Sequence, residues 1–130
     1  MRAATFVVLT LVASGGSGAA AAADARTGSL IQQAPAEFVQ SKKNPFAGTV
    51  LAAGAGAKLY RRACASCHGR RAEGAGKAPP LNRRDINNAA PGALFWVLRN
   101  GSPRRGMPSF AHVPEPQRWQ IVTYLQSLHR

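Results

Sequence analysis

Larger apolar residues recur three and four positions apart near the end of the chain, which is the spacing of one face of an α-helix. They are Trp119, Ile121, Val122, Leu125 and Leu128. Two earlier segments are also predicted helices, and the glycine- and proline-rich stretches between them are predicted loops. The predicted elements are helices over 49–67, 91–100 and 115–129, with loops over 69–88 and 102–116. With no convincing strand and no internal repeat, the pattern predicts a small all-α domain with long loops.

The start of the chain has the pattern of a secretory signal peptide. Arg2 precedes an apolar run over 3–13, and small residues follow it, ending in five alanines at 19–23. A positive start, a short apolar core and small residues before the cut are the three parts of such a signal. The run is shorter than the roughly 18 residues of a transmembrane helix. We therefore expect cleavage after Ala23 or Ala25 and a periplasmic protein, with an uncleaved anchor as the alternative.

Three parts of the chain follow from this pattern. Residues 1–23 are the expected signal peptide, and residues 24–48 are an Ala-, Gln- and Pro-rich arm or linker without clean periodicity. Residues 49–130 form the predicted domain. A chain of about 100 ordered residues has a modest core, and its long loops need a surface to pack on. Both points favour a bound apolar cofactor.

Composition adds a strong positive charge. The 130 residues include 17 Lys and Arg against 5 Asp and Glu, which gives a net charge of +12. With two cysteines the chain is not a disulfide-dense scaffold, and it has no phosphate-binding loop or Ser-centred nucleophile elbow. Ten of the basic residues occur as doublets at 42–43, 61–62, 70–71, 83–84 and 104–105.

Both cysteines lie in Cys64-Ala65-Ser66-Cys67-His68, a C-x-x-C-H motif, which is the attachment signal for c-type haem. Two thiols three residues apart lie on one side of a helical turn, where they can add to the two vinyl groups on one edge of the porphyrin. His68 follows directly, so its imidazole can reach the iron. A redox-active disulfide would need a βαβ pattern around it, and a zinc site would need more soft ligands. We therefore predict one covalent haem c, with His68 as an iron ligand.

The second axial ligand follows by subtraction. Met107 is the only methionine that remains after removal of the signal peptide. It lies in a loop beside Gly106 and Pro108 that can bring a thioether over the far face of the haem. A lone methionine usually fills a gap in a core, and His112 is the competing ligand. We predict Met107 as the ligand.

From about Leu51 to its end, the chain resembles the class I c-type cytochromes. Gly56 and Tyr60 stand eight and four residues before Cys64, the positions at which the family's N-terminal helix crosses its C-terminal helix. The matching partner face here is Ile121, Tyr124 and Leu125. Pro79-Pro80-Leu81 is similar to the family's Pro-x-Leu element, and Gly106-Met107-Pro108 is similar to its Met-ligand loop. The resemblance implies a cytochrome c-like domain of three to four helices, with long loops wrapped around one haem.

The resemblance also implies contacts around the haem. The Pro79 carbonyl would accept a hydrogen bond from Nδ1 of His68, which fixes the imidazole, and Leu81 would lie against the porphyrin. Residues 91–101 are similar to small bacterial periplasmic cytochromes that accompany quinoprotein (PQQ-type) dehydrogenases, and to oxidase-linked c domains. Trp96, in that segment, would either pack in the core or donate its indole N–H to a haem propionate.

An iron with histidine and methionine ligands has no open coordination site, and the thioether favours a high potential. We therefore expect an electron carrier rather than an enzyme, working between a dehydrogenase and a terminal oxidase or another cytochrome. A tightly bound subunit of such a complex is an alternative, and a haem sensor is another if Met107 is not a ligand.

Charge and export bear on the partners. The doublets at 70–71 and 104–105 flank the haem edge in such a fold, so we expect a positive rim that steers an acidic redox protein. Export and the lack of a recognition fold argue against nucleic acid. The mature chain has no predicted membrane span, and we expect a monomer or one subunit of a complex.

Overall fold

The computed structural model describes residues 30–128, and this part of the chain contains helices, loops and two isolated bridges but no strand. The helices are α1 (Ala36–Ser41), α2 (Val50–Ala63), α3 (Ala65–His68), α4 (Arg84–Asn87), α5 (Pro91–Asn100) and α6 (Glu115–Ser127), with a 3-10 turn at Pro103–Arg105. The predicted all-α class is confirmed. Within residues 30–128, no helix is long and apolar enough to cross a membrane.

Several boundaries differ from the sequence-based expectation. The helix predicted over 49–67 is divided at Cys64, where the backbone leaves the helical region at φ −120°. The short helix α4 and the 3-10 turn interrupt segments that were predicted as loops. Helix α6 ends at Ser127, and His129 lies outside the described residues.

Helices α2 and α6 cross at close range. A Cβ atom at Gly56 would collide with the backbone carbonyl of Gln120 and would lie 2.9 Å from Cβ of Tyr124. One turn later Tyr60 is fully buried, and its ring lies 5.3 Å from that of Tyr124. Because glycine has no side chain, the two backbones can meet here. The two helices therefore cross at Gly56 and Tyr60, as the family resemblance implies.

Helix α5 closes the core against α6. The ring of Phe95 stacks on that of Trp119 at 4.1 Å between centroids, and the Arg118 guanidinium lies 4.6 Å from the Phe95 ring. Arg118 is buried and donates from Nε to the Val113 carbonyl. The aromatic stack fixes the distance between the two helices.

The second half of the Ala-, Gln- and Pro-rich segment packs on the domain. Helix α1 sets Phe38 6.5 Å from Phe95, and the Val39 backbone lies where a side chain at position 92 would otherwise extend. Lys42, just after α1, has its ammonium 3.6 Å from the Glu115 carboxylate and lies over the Phe38 and Phe95 rings. Residues 30–48 are thus joined to α5 and α6. The predicted signal peptide at 1–23 and residues 24–29 lie outside the described residues.

We predict that Gly56→Ala destabilises the protein by about 1–3 kcal/mol, because the added methyl group forces the two backbones apart. The melting temperature, followed by far-UV circular dichroism, should fall by roughly 5–15 °C. Gly54→Ala is the matched control. Position 54 lies in the same helix with open space around it, so this change should stabilise the helix by about 0.5–1 kcal/mol. Equal melting temperatures for the two variants would contradict the close crossing.

Candidate functional site

The two cysteines lie at the junction of α2 and α3. Cys64 ends α2, and its carbonyl accepts hydrogen bonds from the backbone N–H groups of Cys67 (3.1 Å) and His68 (2.9 Å). This single turn holds both thiols and the imidazole within five residues. The Cys64 side chain is buried, Cys67 is exposed, and both are free thiols.

Burial controls the protonation of the inner thiol. Desolvation, with a smaller contribution from neighbouring Cys67, raises the pKa of Cys64 to about 11. Burial disfavours the charged thiolate, so Cys64 is a neutral thiol at pH 7. It therefore contributes to the apolar core cluster together with Tyr60 and Leu94.

Hydrogen bonds hold His68 on the ring and on the backbone. Its Nδ1 lies 2.8 Å from the Pro79 carbonyl, the contact that the family resemblance implies. Its own carbonyl accepts a hydrogen bond from the Gly74 N–H at 2.7 Å. Because the carbonyl of Pro79 can only accept, Nδ1 carries the proton and Nε2 is left with a lone pair for a metal.

Tyr60 stabilises the same turn by a hydrogen bond. Its hydroxyl donates to the carbonyl of Gly69, the residue after His68, at 2.8 Å. Burial raises the pKa of Tyr60 well above its usual value, with smaller contributions from Cys64, Tyr124 and Glu73. The phenol therefore stays protonated and remains a donor. This role of the hydroxyl was not predicted from the sequence, which indicated only that the Tyr60 ring fills the helix crossing.

The loop after His68 is organised by one buried residue. Ala72 has no exposed surface and a positive φ of 60°. Its carbonyl accepts from the N–H groups of Leu81 at 2.8 Å and Asn82 at 3.1 Å. Near the start of the loop, the Glu73 carboxylate accepts hydrogen bonds from the backbone N–H groups of Glu73 and Arg71. These hydrogen bonds lower the pKa of Glu73. These contacts hold the Pro79–Leu81 region beside His68.

Met107 lies in a tight loop after α5. Its N–H and carbonyl pair with Ser102, at 3.1 and 2.9 Å. Gly106 has a φ of +85° and Gly101 a φ of +64°, and a side chain at 101 would collide with the Pro108 carbonyl. Only glycine adopts this backbone without strain. Met107 is thereby half-buried against the core cluster, as are Leu81 and Phe110.

The two remaining candidate residues, His112 and Trp96, are more exposed than the core. His112 is exposed, with its ring 6.1 Å from that of Phe110. Trp96 is half-buried on α5, and its carbonyl accepts a hydrogen bond from Asn100 at 2.8 Å. Within residues 30–128, no group of three His, Cys, Asp or Glu side chains is arranged so that it could hold a metal ion.

This donor set fits a covalent haem with an iron centre. Two free thiols share one helical turn, and an imidazole beside them has Nδ1 bonded to a carbonyl and Nε2 free to bind a metal. A half-buried thioether is available on another loop of the same core. Thioether attachment needs free thiols, and haem iron accepts nitrogen and sulfur ligands.

Comparison with known proteins gives three findings. Residues 51–125 match the family described as cytochrome c oxidase, cbb3-type, subunit III. Cytochrome c550 of Pseudomonas aeruginosa is 37% identical over 93 residues, which cover 67% of this chain and 63% of that protein. The chain thus spans less than two thirds of that relative. The crystal structure of cytochrome CL from the marine methylotrophic bacterium Methylophaga aminisulfidivorans is similar in fold, with a TM-score of 0.57 and 23% identity. That likeness covers 93% of this chain and 73% of the other.

We predict that Tyr60→Phe destabilises the protein by about 1–2 kcal/mol, because the Gly69 carbonyl loses its buried donor while the ring packing is kept. Thermal unfolding followed by circular dichroism measures the change. Tyr124→Phe removes a hydroxyl from the neighbouring, half-buried ring and should cost less than about 0.5 kcal/mol. A Tyr60→Phe variant as stable as the control would show that the hydroxyl does not support the turn.

Proposed function

The chain belongs to the class I c-type cytochromes, and on that premise we propose that it is a periplasmic carrier of single electrons. Proteins of this family are electron-transfer proteins rather than enzymes, and they hold haem c, with its iron, covalently. In this chain Cys64 and Cys67 would form the two thioether bonds. His68 and Met107 would bind the iron.

The observation that carries the proposal is the hydrogen bond between His68 Nδ1 and the Pro79 carbonyl. It fixes the imidazole ring, leaves Nε2 available to bind iron, and raises the basicity of that nitrogen. The bond depends on the loop that Ala72 organises. An imidazole held in this way would keep one position in both oxidation states of the iron, which would limit rearrangement during electron transfer.

When bound, haem c supplies an iron that alternates between ferrous and ferric. The residues around it would set how readily that happens. We propose that Leu81, Phe110 and Trp96 exclude water near the iron; Leu81 and Phe110 are half-buried against the core cluster. A dry, apolar surrounding disfavours the additional charge of ferric iron, so the reduction potential is expected to be high.

The proposed partners are a periplasmic dehydrogenase as donor, of the quinoprotein type that the narrower subgroup resemblance implies, and an oxidase or another cytochrome as acceptor. Export by a signal peptide at residues 1–23 is part of this proposal. A second candidate is a tightly bound subunit of an oxidase complex, which the description of the matching family as an oxidase subunit favours. Co-purification with such a complex would distinguish the two.

We predict that Met107→Ala opens one axial position of the iron. The ferric protein should change from low-spin to high-spin, and the reduced protein should bind carbon monoxide, as visible spectra would record. His112→Ala, which alters the exposed competing ligand, should leave a low-spin spectrum without carbon monoxide binding. A low-spin Met107→Ala variant would overturn the ligand assignment, and carbon monoxide binding by the reduced, unsubstituted protein would favour a haem sensor.

The proposed positive rim consists of Arg70, Arg71, Arg104 and Arg105, all of them exposed. We predict that Arg104→Glu with Arg105→Glu slows oxidation by ferricyanide, a small anion, about 3- to 10-fold at low salt. The difference should fade as salt screens the charges. The matched control, Lys58→Glu with Arg61→Glu, makes the same change in net charge on α2 and should slow the reaction less. Equal effects of the two variants in stopped-flow measurements would mean that no local rim steers the oxidant.

A further inference from the structure

An uncharged segment stands exposed at the beginning of α2. Val50 and Leu51 are 83% and 85% exposed, unlike the other large hydrophobic residues in the part of the chain that the structure describes. The three residues before them, Ala47, Gly48 and Thr49, are exposed as well. Single exposed aliphatic residues are ordinary on protein surfaces. Two in succession, at the end of an exposed five-residue segment, form an apolar surface that residues 30–128 leave uncovered.

Basic residues follow on the same side of the helix. Lys58, Arg61 and Arg62 are exposed, whereas Gly56 and Tyr60 turn toward α6 and are buried. Positions 51, 54, 58 and 61 are three and four residues apart and therefore lie along one face. Helix α2 contains no acidic residue. Its outer face is thus apolar at the first turn and cationic at the last, over about 20 Å of helix.

We propose that this outer face of α2, comprising residues 47–51 with Lys58, Arg61 and Arg62, binds the surface of an anionic lipid bilayer. The aliphatic tip would enter the boundary between headgroups and acyl chains, and the three cations would lie against lipid phosphates. No penetration beyond the interface is involved.

Charge and shape select this occupant over two others. A second copy of the chain would bring two cationic helix faces together, which a net charge of +12 disfavours. A protein partner typically meets an apolar patch enclosed by a polar rim. Here the apolar residues lie at one end of the face and the charges at the other, the arrangement of an interfacial helix that inserts one end.

The consequence goes beyond electron carriage. A carrier held on a bilayer would search for membrane-bound partners by lateral diffusion. The junction of α2 and α3, where the haem would be attached, would remain part of the folded domain. Binding of this kind depends on surface residues of α2 and not on the iron ligands. It can therefore be tested separately from the proposed redox role.

The test is sedimentation of the exported, haem-loaded protein with vesicles at low ionic strength, with the bound fraction read from gels. Vesicles of phosphatidylcholine with phosphatidylglycerol are compared with vesicles of phosphatidylcholine alone. Val50→Ser with Leu51→Ser should weaken binding to the anionic vesicles about tenfold. Lys58→Gln, Arg61→Gln and Arg62→Gln together should weaken it by about fivefold per charge removed.

The matched control removes three charges elsewhere, by Arg70→Gln, Lys77→Gln and Arg104→Gln, and should weaken binding only about twofold. All variants share one N-terminus, so any contribution from it cancels. Absence of binding to anionic vesicles, equal loss in the control triple variant, or full binding by Val50→Ser/Leu51→Ser would each overturn the proposal. Binding to polyglutamate instead of vesicles would assign the face to an acidic protein. Self-association abolished by the serine variant would assign it to a second copy.

Discussion

The approach of the α2 backbone at Gly56 to the Gln120 carbonyl of α6 is the constraint on which the turn with both cysteines and His68 depends. It requires a residue without a side chain, and it sets the depth of Tyr60 one turn later. From that depth the Tyr60 hydroxyl reaches the Gly69 carbonyl at 2.8 Å. The turn from Cys64 to His68 lies between these two contacts. The helix crossing and the imidazole that we propose as an iron ligand therefore belong to one continuous structure.

Irregular backbone completes that structure. The loop from Gly69 to Leu81 is held by the carbonyl of Ala72 and by left-handed residues instead of by a strand or helix. This loop places the Pro79 carbonyl within hydrogen-bond distance of His68 Nδ1. The Met107 loop is built in the same way, from a Ser102–Met107 backbone pair and two glycines. Loops of this kind would let a small helical domain provide the two iron ligands that we propose.

The sequence predicts the parts of this fold that repeat or that carry rare residues. Helices α2, α5 and α6 have apolar residues at helical spacing or clear start and stop signals. The C-x-x-C-H motif combines both cysteines with a histidine. The Pro79 contact was expected from family resemblance alone. Helix α1 was not predicted, because Phe38 is its only large aromatic anchor and its docking depends on Phe95, far along the chain.

Other features depend on tertiary packing that no local pattern reveals. Leu51 has the spacing of a core residue but is 85% exposed, because α6 packs on the opposite side of α2. Arg118 is buried against the Phe95 ring, although arginine is rarely buried. The role of Gln120 in the crossing involves only its backbone, so side-chain chemistry could not indicate it.

The most direct test of the account is the visible spectrum of the protein matured with its haem, oxidised and reduced, with and without carbon monoxide. The account predicts a covalent low-spin haem, a weak red band of methionine-to-ferric-iron charge transfer, and no carbon monoxide binding. A high-spin spectrum, or ready binding of carbon monoxide to the reduced protein, would mean that the iron has an open position. That result would contradict a histidine–methionine electron carrier.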